Sequence, residues 1–165
     1  MPEPSWHHLS TGHATPTWLE SLPAVLVSGF SAVPGWGDDD RSCVELALSE
    51  IATNIVEHGD GSGSGQVRAR LEIVIDSRQV RVVVDDDAPP ADITLGGMPD
   101  VSAESGRGLA LVDLVTDSFA HTTSADGNRW AFTKARTPAD ESGPPDDGRR
   151  PDAGSGPDDK GPPSA

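Results

Sequence analysis

Three short segments of the chain carry side chains whose types and spacing suit a catalytic or ligand-binding site. Glu50 and Asn54 are four residues apart in a stretch with helical periodicity, so they project from one face of a helix. A carboxylate and an amide at this spacing can serve as a general base and a metal ligand. The same pair also fits an ordinary solvated helix face, so its spacing alone leaves both interpretations open.

The second segment ends at Asp86, which follows Val82 and Val84 at alternate positions of a predicted strand. A carboxylate in this phase either lies at the rim of a pocket, where it can accept a hydrogen bond from an amino group such as that of adenine, or belongs to a turn after the strand. The third segment is Gly106-Arg107-Gly108, ahead of a short predicted helix. Glycines and free N–H groups at a helix N-terminus allow phosphate to approach, but a lone pattern of this kind also fits a plain loop.

Two predicted helices precede the strands. The first begins at Thr15-Pro16, an N-cap followed by proline at the first helical position, and Pro23 is expected to kink it or divide it in two. The second carries Glu50 and Asn54, and the acids at 38–40 are expected to cap it. Apolar residues recur at three- and four-residue steps on both helices: Leu19, Leu22, Leu26, Phe30 and Val33, then Val44, Leu48, Ile51 and Ile55.

Alternating apolar and polar residues over 66–76 and 80–86 predict a β-hairpin. Strands at 119–123 and 129–134 are joined by a turn at Asp126-Gly127-Asn128, and a short edge strand around His8–Ser10 is possible. The order is therefore helix, helix, strand, strand, loop, helix, strand, strand. This order predicts an α+β two-layer sandwich, with helices on one face of a mainly antiparallel sheet.

Composition divides the 165 residues into a folded part and a tail. Residues 136–165 hold 7 of the 15 prolines and 5 of the 18 glycines, with alanine as their only apolar residue type. Such a segment has nothing to bury and is predicted to be disordered. We expect a flexible N-terminus or edge strand at 1–14 and one domain at 15–135.

Charge and hydropathy exclude several classes of partner. The net charge is −15, with 27 acids against 12 bases, so direct binding to nucleic acid or to anionic membranes is not expected. No apolar run approaches the roughly 20 residues of a membrane span. The single cysteine excludes an internal disulfide. These features predict a cytoplasmic protein.

Taken in order, the three segments resemble the boxes of the GHKL ATPase family, which includes gyrase-type enzymes, histidine kinases and anti-sigma factors. Residues 45–59 are similar to its N box, 82–86 to its first glycine box, 104–112 to its second and 127–130 to its closing strand. The pattern Ser-Glu-x-x-x-Asn-x-x-x-His at 49–58 resembles the bacterial anti-sigma-factor serine kinases of the sporulation and general-stress type. The chain departs from the family at 86–90, where Asp-Asp-Ala-Pro-Pro lacks both glycines of the first glycine box.

The resemblance implies a role for each matching residue. Glu50 would be the general base, Asn54 the ligand of Mg²⁺, and Asp86 the carboxylate that binds the adenine amino group of ATP. A lid at about 88–105 would cover the phosphates, which would lie against the second box: Gly106, Arg107, Gly108 and Leu109.

The resemblance also implies an activity and partners. The chain would be an ATP-dependent serine kinase and an anti-sigma factor that phosphorylates an antagonist protein, binds a sigma factor and forms a homodimer. The departure at 86–90 keeps a second interpretation open, namely a catalytically weak or inactive module of the same fold that regulates transcription through partner binding only.

Overall fold

The computed structural model describes residues 1–59, 66–91, 93 and 104–138, and only the backbone of 104–106. Most of the predicted lid and nearly all of the predicted tail lie outside the described residues. The elements are β1 (Ser5–His13), α1 (Pro16–Ala32), α2 (Asp38–His58), β2 (Arg68–Asp76), β3 (Gln79–Asp86), α3 (Glu104–Val115), β4 (Ser118–Ser124) and β5 (Gly127–Ala135). Within the described ranges, no helix has both the length and the apolar character that crossing a bilayer requires.

The five strands form one antiparallel sheet in the order β1-β2-β3-β5-β4. The helices α1 and α2 pack against each other and against this sheet, and α3 packs on α2 and β4. The predicted α+β two-layer sandwich is therefore confirmed. Of the two alternatives for the N-terminus, the structure shows the edge strand, because β1 pairs with β2 along all nine of its residues.

The core lies between α2 and the central strands. Alternate side chains of β2 and β3 are buried, because a half-buried strand turns every second residue towards the core. They meet the predicted stripe of α2, in which Val44, Leu48, Ile51 and Ile55 are all at most 2% exposed. This packing fixes which side chains of α2 and of the strands point towards the core. It therefore also fixes the direction of Asp86, which continues the inward-facing positions of β3.

The structure confirms one expectation about α1 and α2 and corrects two others. Thr15 is the N-cap of α1, as predicted, since its hydroxyl accepts a hydrogen bond from the Trp18 N–H at 3.2 Å. The helix is continuous through Pro23, so a division in two is wrong. The N-cap of α2 is Gly37, and no side chain caps this helix, so the expected cap at 38–40 is also wrong. The three acids instead occupy the first turn, where the helix dipole favours negative charge.

Candidate functional site

A pocket of about 360 Å³ lies between α2, the adjacent ends of β3 and β5, and the residues that follow β3. Two residues singled out in separate segments of the sequence, Asn54 and Asp86, both line it. Most of the remaining lining is apolar, with Ile55, Ala88, Ile93 and Trp130 among its walls. The pocket therefore combines an apolar slot with a small number of polar groups, which is the usual composition of a small-molecule site.

Asp86 is held at the floor of this pocket by three donors of the protein. Its Oδ1 accepts from Asn128 Nδ2 at 2.8 Å and from the Ala88 N–H at 3.0 Å. Its Oδ2 accepts from Trp130 Nε1 at 2.7 Å. The residue is only 6% exposed, and these bonds compensate the loss of water around its carboxylate.

The β3–β5 register explains why Asp86 and its partners meet. Asp86 continues the inward phase of Val82 and Val84, and it pairs directly with Asn128. Gly127 precedes Asn128 with a φ of +138°, in a region that side chains rarely adopt. A Cβ at Gly127 would overlap the carbonyl oxygen of Asp86, so this close approach of two backbones requires glycine.

Glu50 and Asn54 share one face of α2, one helical turn apart. The Asn54 Nδ2 donates to the carbonyl oxygen of Glu50 at 2.7 Å. The group of Asn54 that could coordinate a metal ion is therefore its amide oxygen, Oδ1. The half-buried Glu50 side chain does not line the pocket and instead reaches α3. A Cβ at Gly108 would overlap the Glu50 Oε2, so the absence of a side chain at this position admits the carboxylate.

The second predicted glycine box lies inside α3 and not ahead of it. Because α3 begins at Glu104, Gly106 and Gly108 belong to its first two turns, which corrects the expected placement. Arg107 is exposed, whereas Leu109 is 6% exposed and packs in the hydrophobic core. The structure thus places Asn54 and Asp86 in one pocket and Glu50 beside Gly108, while the side chain of Leu109 packs in the core and does not line this pocket.

The donor set around the pocket suits a magnesium ion held together with a phosphate ligand. In the part of the chain that the structure describes, no group of three or more His, Cys, Asp or Glu side chains could enclose a metal ion. Mg²⁺ is commonly bound through only one or two protein oxygens, with water and substrate phosphates completing its octahedron. The Asn54 amide oxygen, beside the pocket and one turn from a carboxylate, fits this arrangement.

Sequence reasoning missed two polar contributors to the site, Asn128 and Trp130. Trp130 is buried in the core, and its indole N–H also donates to Asp86. Asn128 contacts Asp86 across 42 residues of sequence. The available signal was the pairing of the closing strand with the strand that ends in Asp86, which places residue 128 beside that carboxylate.

Comparison with known proteins finds a matching family and solved structures of similar fold. A family described as "Histidine kinase-like ATPase domain" matches residues 13–134. Among solved structures, the fold is similar to that of the RsbU and RsbW domains of Rv1364c from Mycobacterium tuberculosis, with a TM-score of 0.59 and 21% sequence identity. That match covers 82% of this chain but only 33% of the solved chain. A similarity at 21% sequence identity shows a shared fold alone. No curated protein matches the sequence significantly.

Proposed function

The chain belongs to the family of histidine kinase-like ATPase domains, and from this premise we propose that it is an ATP-dependent serine kinase that acts as an anti-sigma factor. In this proposal it binds ATP with Mg²⁺ and phosphorylates a serine of an antagonist protein. It also binds a sigma factor and works as a homodimer in the cytoplasm. The observation that carries the proposal is the meeting of Asn54 and Asp86 in one pocket, with Glu50 one helical turn away beside α3.

The adenine base is assigned to the apolar slot. Ile55, Ile93 and Trp130 supply apolar surface for a flat ring, and Asp86 at the floor supplies an acceptor for its exocyclic amino group. The Asp86 Oδ2 accepts only one protein hydrogen bond among the described residues, so it has a position left for that amino group.

The phosphates are assigned to the space between Asn54 and the beginning of α3. Backbone N–H groups at a helix N-terminus favour bound anions, and the glycines at 106 and 108 keep this end of α3 free of bulk. Asn54 would hold Mg²⁺, which neutralises phosphate charge when bound. This arrangement matters in a chain with a net charge of −15, because acidic side chains repel the nucleotide.

Glu50 is assigned the role of general base. In the transfer step, its carboxylate takes up the proton of the incoming serine hydroxyl while the serine oxygen bonds to the γ-phosphorus of ATP. The bond from that phosphorus to the bridging oxygen breaks, and ADP leaves. The contact between Glu50 and Gly108 supports this role, because it places the carboxylate beside the α3 turns assigned to the phosphates.

A second candidate is a partner-binding module with little or no kinase activity. Ala88 and Pro90 line the pocket at the two positions where the family pattern has glycines. Protein donors already occupy most acceptor positions of Asp86. In this case partner binding alone would regulate transcription.

The nucleotide site is tested by calorimetric titration of the full chain with ATP and ADP, with and without Mg²⁺. We expect Mg²⁺ to strengthen ATP binding in the unchanged chain and to have no such effect in Asn54→Ala, because the amide oxygen is then gone. Glu57→Gln, an exposed change one turn further along α2, is the matched control and should behave as the unchanged chain. Absence of binding at millimolar ATP would contradict both the kinase and the ATP site.

Transfer itself is tested with labelled ATP and the antagonist protein in its unphosphorylated form, by following the label that appears on its serine. We expect Glu50→Gln to retain nucleotide binding and to lose about 10²- to 10⁴-fold in transfer rate, the usual contribution of a positioned base. The control is Glu45→Gln, which removes an exposed carboxylate of the same helix. If Glu50→Gln leaves regulation in cells intact, the kinase is excluded and the partner-binding module remains.

A further inference from the structure

Every hydrogen-bonding group of the Asn128 side chain is used within the protein. Nδ2 donates one hydrogen to Asp86 Oδ1, with 2.8 Å between the nitrogen and the oxygen. Its other hydrogen is shared by the carbonyl oxygens of Ala88 and Pro89, which lie 3.4 and 3.3 Å from Nδ2. The Oδ1 accepts from the Ala91 N–H at 2.8 Å and contacts His121 Nε2 at 3.2 Å. An amide has two donor hydrogens and two acceptor positions, so Asn128 has none left for a ligand.

These contacts fix the orientation of the amide. The two ends of an asparagine amide differ only in which atom donates, and a backbone N–H can only donate. The Ala91 N–H therefore requires the oxygen of Asn128 on its side, which turns Nδ2 towards the carboxylate of Asp86. His121 must then donate through Nε2, and its ring packs against that of Trp130 at a tilt of 35°, with the ring centres 4.1 Å apart.

Asn128 thus joins the floor of the pocket to its wall. The wall segment, residues 88–91, has Ala88 and Pro90 at the two positions where the family pattern has glycines. Asn128 contacts the backbone of this segment at Ala88, Pro89 and Ala91. The residue is 5% exposed, so these bonds are shielded from water. Its removal would leave buried polar groups on Asp86 and on the wall segment without partners, which is costly.

We propose that Asn128 is a positioning residue that presets the base pocket by clamping the wall segment to Asp86 and leaving this carboxylate one acceptor position. Both acceptor positions of Oδ1 in the carboxylate plane are taken, by Asn128 and the Ala88 N–H, and Trp130 takes one of Oδ2. The pocket then recognises a purine base through one hydrogen bond, which the amino group at position 6 donates to Asp86. This selection of the base rests on the proposed nucleotide function, whereas the clamp itself does not.

The clamp is tested without ligand by amide hydrogen exchange at Ala91 and Ala88. We expect Asn128→Ala to speed exchange at Ala91 by at least about tenfold, because its acceptor is lost, and to speed it at Ala88, because Asp86 is released. Asn128→Asp retains an acceptor for Ala91 but places a second carboxylate against Asp86, so like-charge repulsion should raise exchange at Ala88 more than at Ala91. Thr123→Ala, an exposed change at the cross-strand partner of Asn128, is the control. Unchanged exchange at both amides in folded Asn128→Ala would overturn the clamp.

Base selection is tested by titrating the full chain with ATP, purine riboside triphosphate and inosine triphosphate. The unchanged chain should bind ATP about tenfold more tightly than purine riboside triphosphate, the value of one hydrogen bond, and should bind inosine triphosphate no better than the latter. In Asn128→Ala the ratio of the affinities for ATP and purine riboside triphosphate should fall towards one. Thr123→Ala should preserve this ratio.

The outcomes separate this inference from the proposed function. If the unchanged chain binds ATP and Asn128→Ala keeps the same ratio, the positioning role is overturned while the ATP site stands. If the unchanged chain binds none of the three nucleotides, the proposed function and the base selection are overturned together. Exchange at Ala91 then decides the clamp alone, where a faster rate in Asn128→Ala supports it and an unaffected rate overturns it.

Discussion

Gly108 illustrates how the absence of a side chain can position another residue. The family resemblance assigns this glycine to phosphate binding, but in the structure the space beside its Cα is taken by the Glu50 carboxylate. The buried glycine lies in the second turn of α3, where glycine is a poor helix former. Gly108 therefore lets the Glu50 carboxylate lie close to the backbone of α3.

We expect Gly108→Ala to reduce the rate of phosphoryl transfer by about a hundredfold, because a displacement of about 1 Å at a catalytic group has effects of this size. Helix propensity should offset the lost space, so the midpoint of thermal unfolding should change little. Nucleotide affinity, measured by calorimetry, separates the two roles of the glycine. If nucleotide affinity falls as much as the rate of transfer, the role of Gly108 is to bind the phosphates and not to position Glu50.

At the level of elements, the site depends on the register between β3 and β5. Asp86 ends one strand, Asn128 and Trp130 lie on the other, and the hairpin glycine Gly127 lets the two backbones meet. Helix α2 adds Asn54 and Glu50 from the face beside its buried stripe. A shift of one residue in the strand pairing would turn Asn128 and Trp130 to the open face of the sheet.

We expect Gly127→Ala to lower the free energy of unfolding by about 2 to 3 kcal/mol, because the new Cβ overlaps the backbone of Asp86 at a positive φ. Gly12→Ala in β1 is the matched control, since a Cβ there meets nothing within 4 Å, and its cost should be well under 1 kcal/mol. Urea unfolding of the unchanged protein, Gly127→Ala and Gly12→Ala measures both changes in the free energy of unfolding. Equal stability of Gly127→Ala and the unchanged chain would mean that β3 and β5 approach less closely than described.

At the scale of the whole molecule, ion pairs and hydrogen bonds hold two acidic side chains, Asp40 and Glu72. The buried Asp40 at the start of α2 forms an ion pair with Lys134 at 3.3 Å and accepts from the N–H and hydroxyl of Thr137, both at 2.8 Å. These contacts join the end of β5 to α2, at the end of the sheet away from Asp86. On the face of β2 away from the core, Glu72 bonds His7 and Arg70, each at 3.1 Å.

Burial raises the pKa of Asp40, but the Thr137 hydrogen bonds and Lys134 outweigh it, so the pKa of this carboxyl lies below its ordinary value of 3.8. A carboxyl with a lowered pKa in the folded state stabilises the protein above its unfolded pKa and loses this effect as the pH falls through the folded value. We therefore expect Asp40→Asn to cost about 1 to 3 kcal/mol at pH 7 and progressively less below about pH 4.

Urea unfolding between pH 2 and 7 measures this difference, with Asp39→Asn as the control for an exposed acid of the same turn. A difference between Asp40→Asn and the unchanged chain that stays constant over this range would exclude the ion pair as its source. The hydrogen bond from His7 and the charge of Arg70 also hold the pKa of Glu72 below its ordinary value, so it adds to the loss of stability in acid.

The sequence by itself determined the class of fold and half of the site. Periodicity of two in β2 and β3 and of three to four in α1 and α2 is a local property, and it set which faces are buried and that Asp86 continues an inward phase. The spacing of Glu50 and Asn54 placed them on one helix face for the same reason. The helix ends at Gly37 and Glu104 were missed, because caps depend on backbone angles that composition specifies poorly.

Only the tertiary structure decided which residues complete the pocket. The bonds of Asn128 and Trp130 to Asp86 join positions 42 and 44 residues apart, and the contact of Glu50 with Gly108 joins two helices. Such contacts depend on strand register and on how closely backbones pack, and no local pattern of residue types encodes either one. The residue types of the candidate site were therefore visible in the sequence, while its geometry arises from the way the sheet and helices pack together.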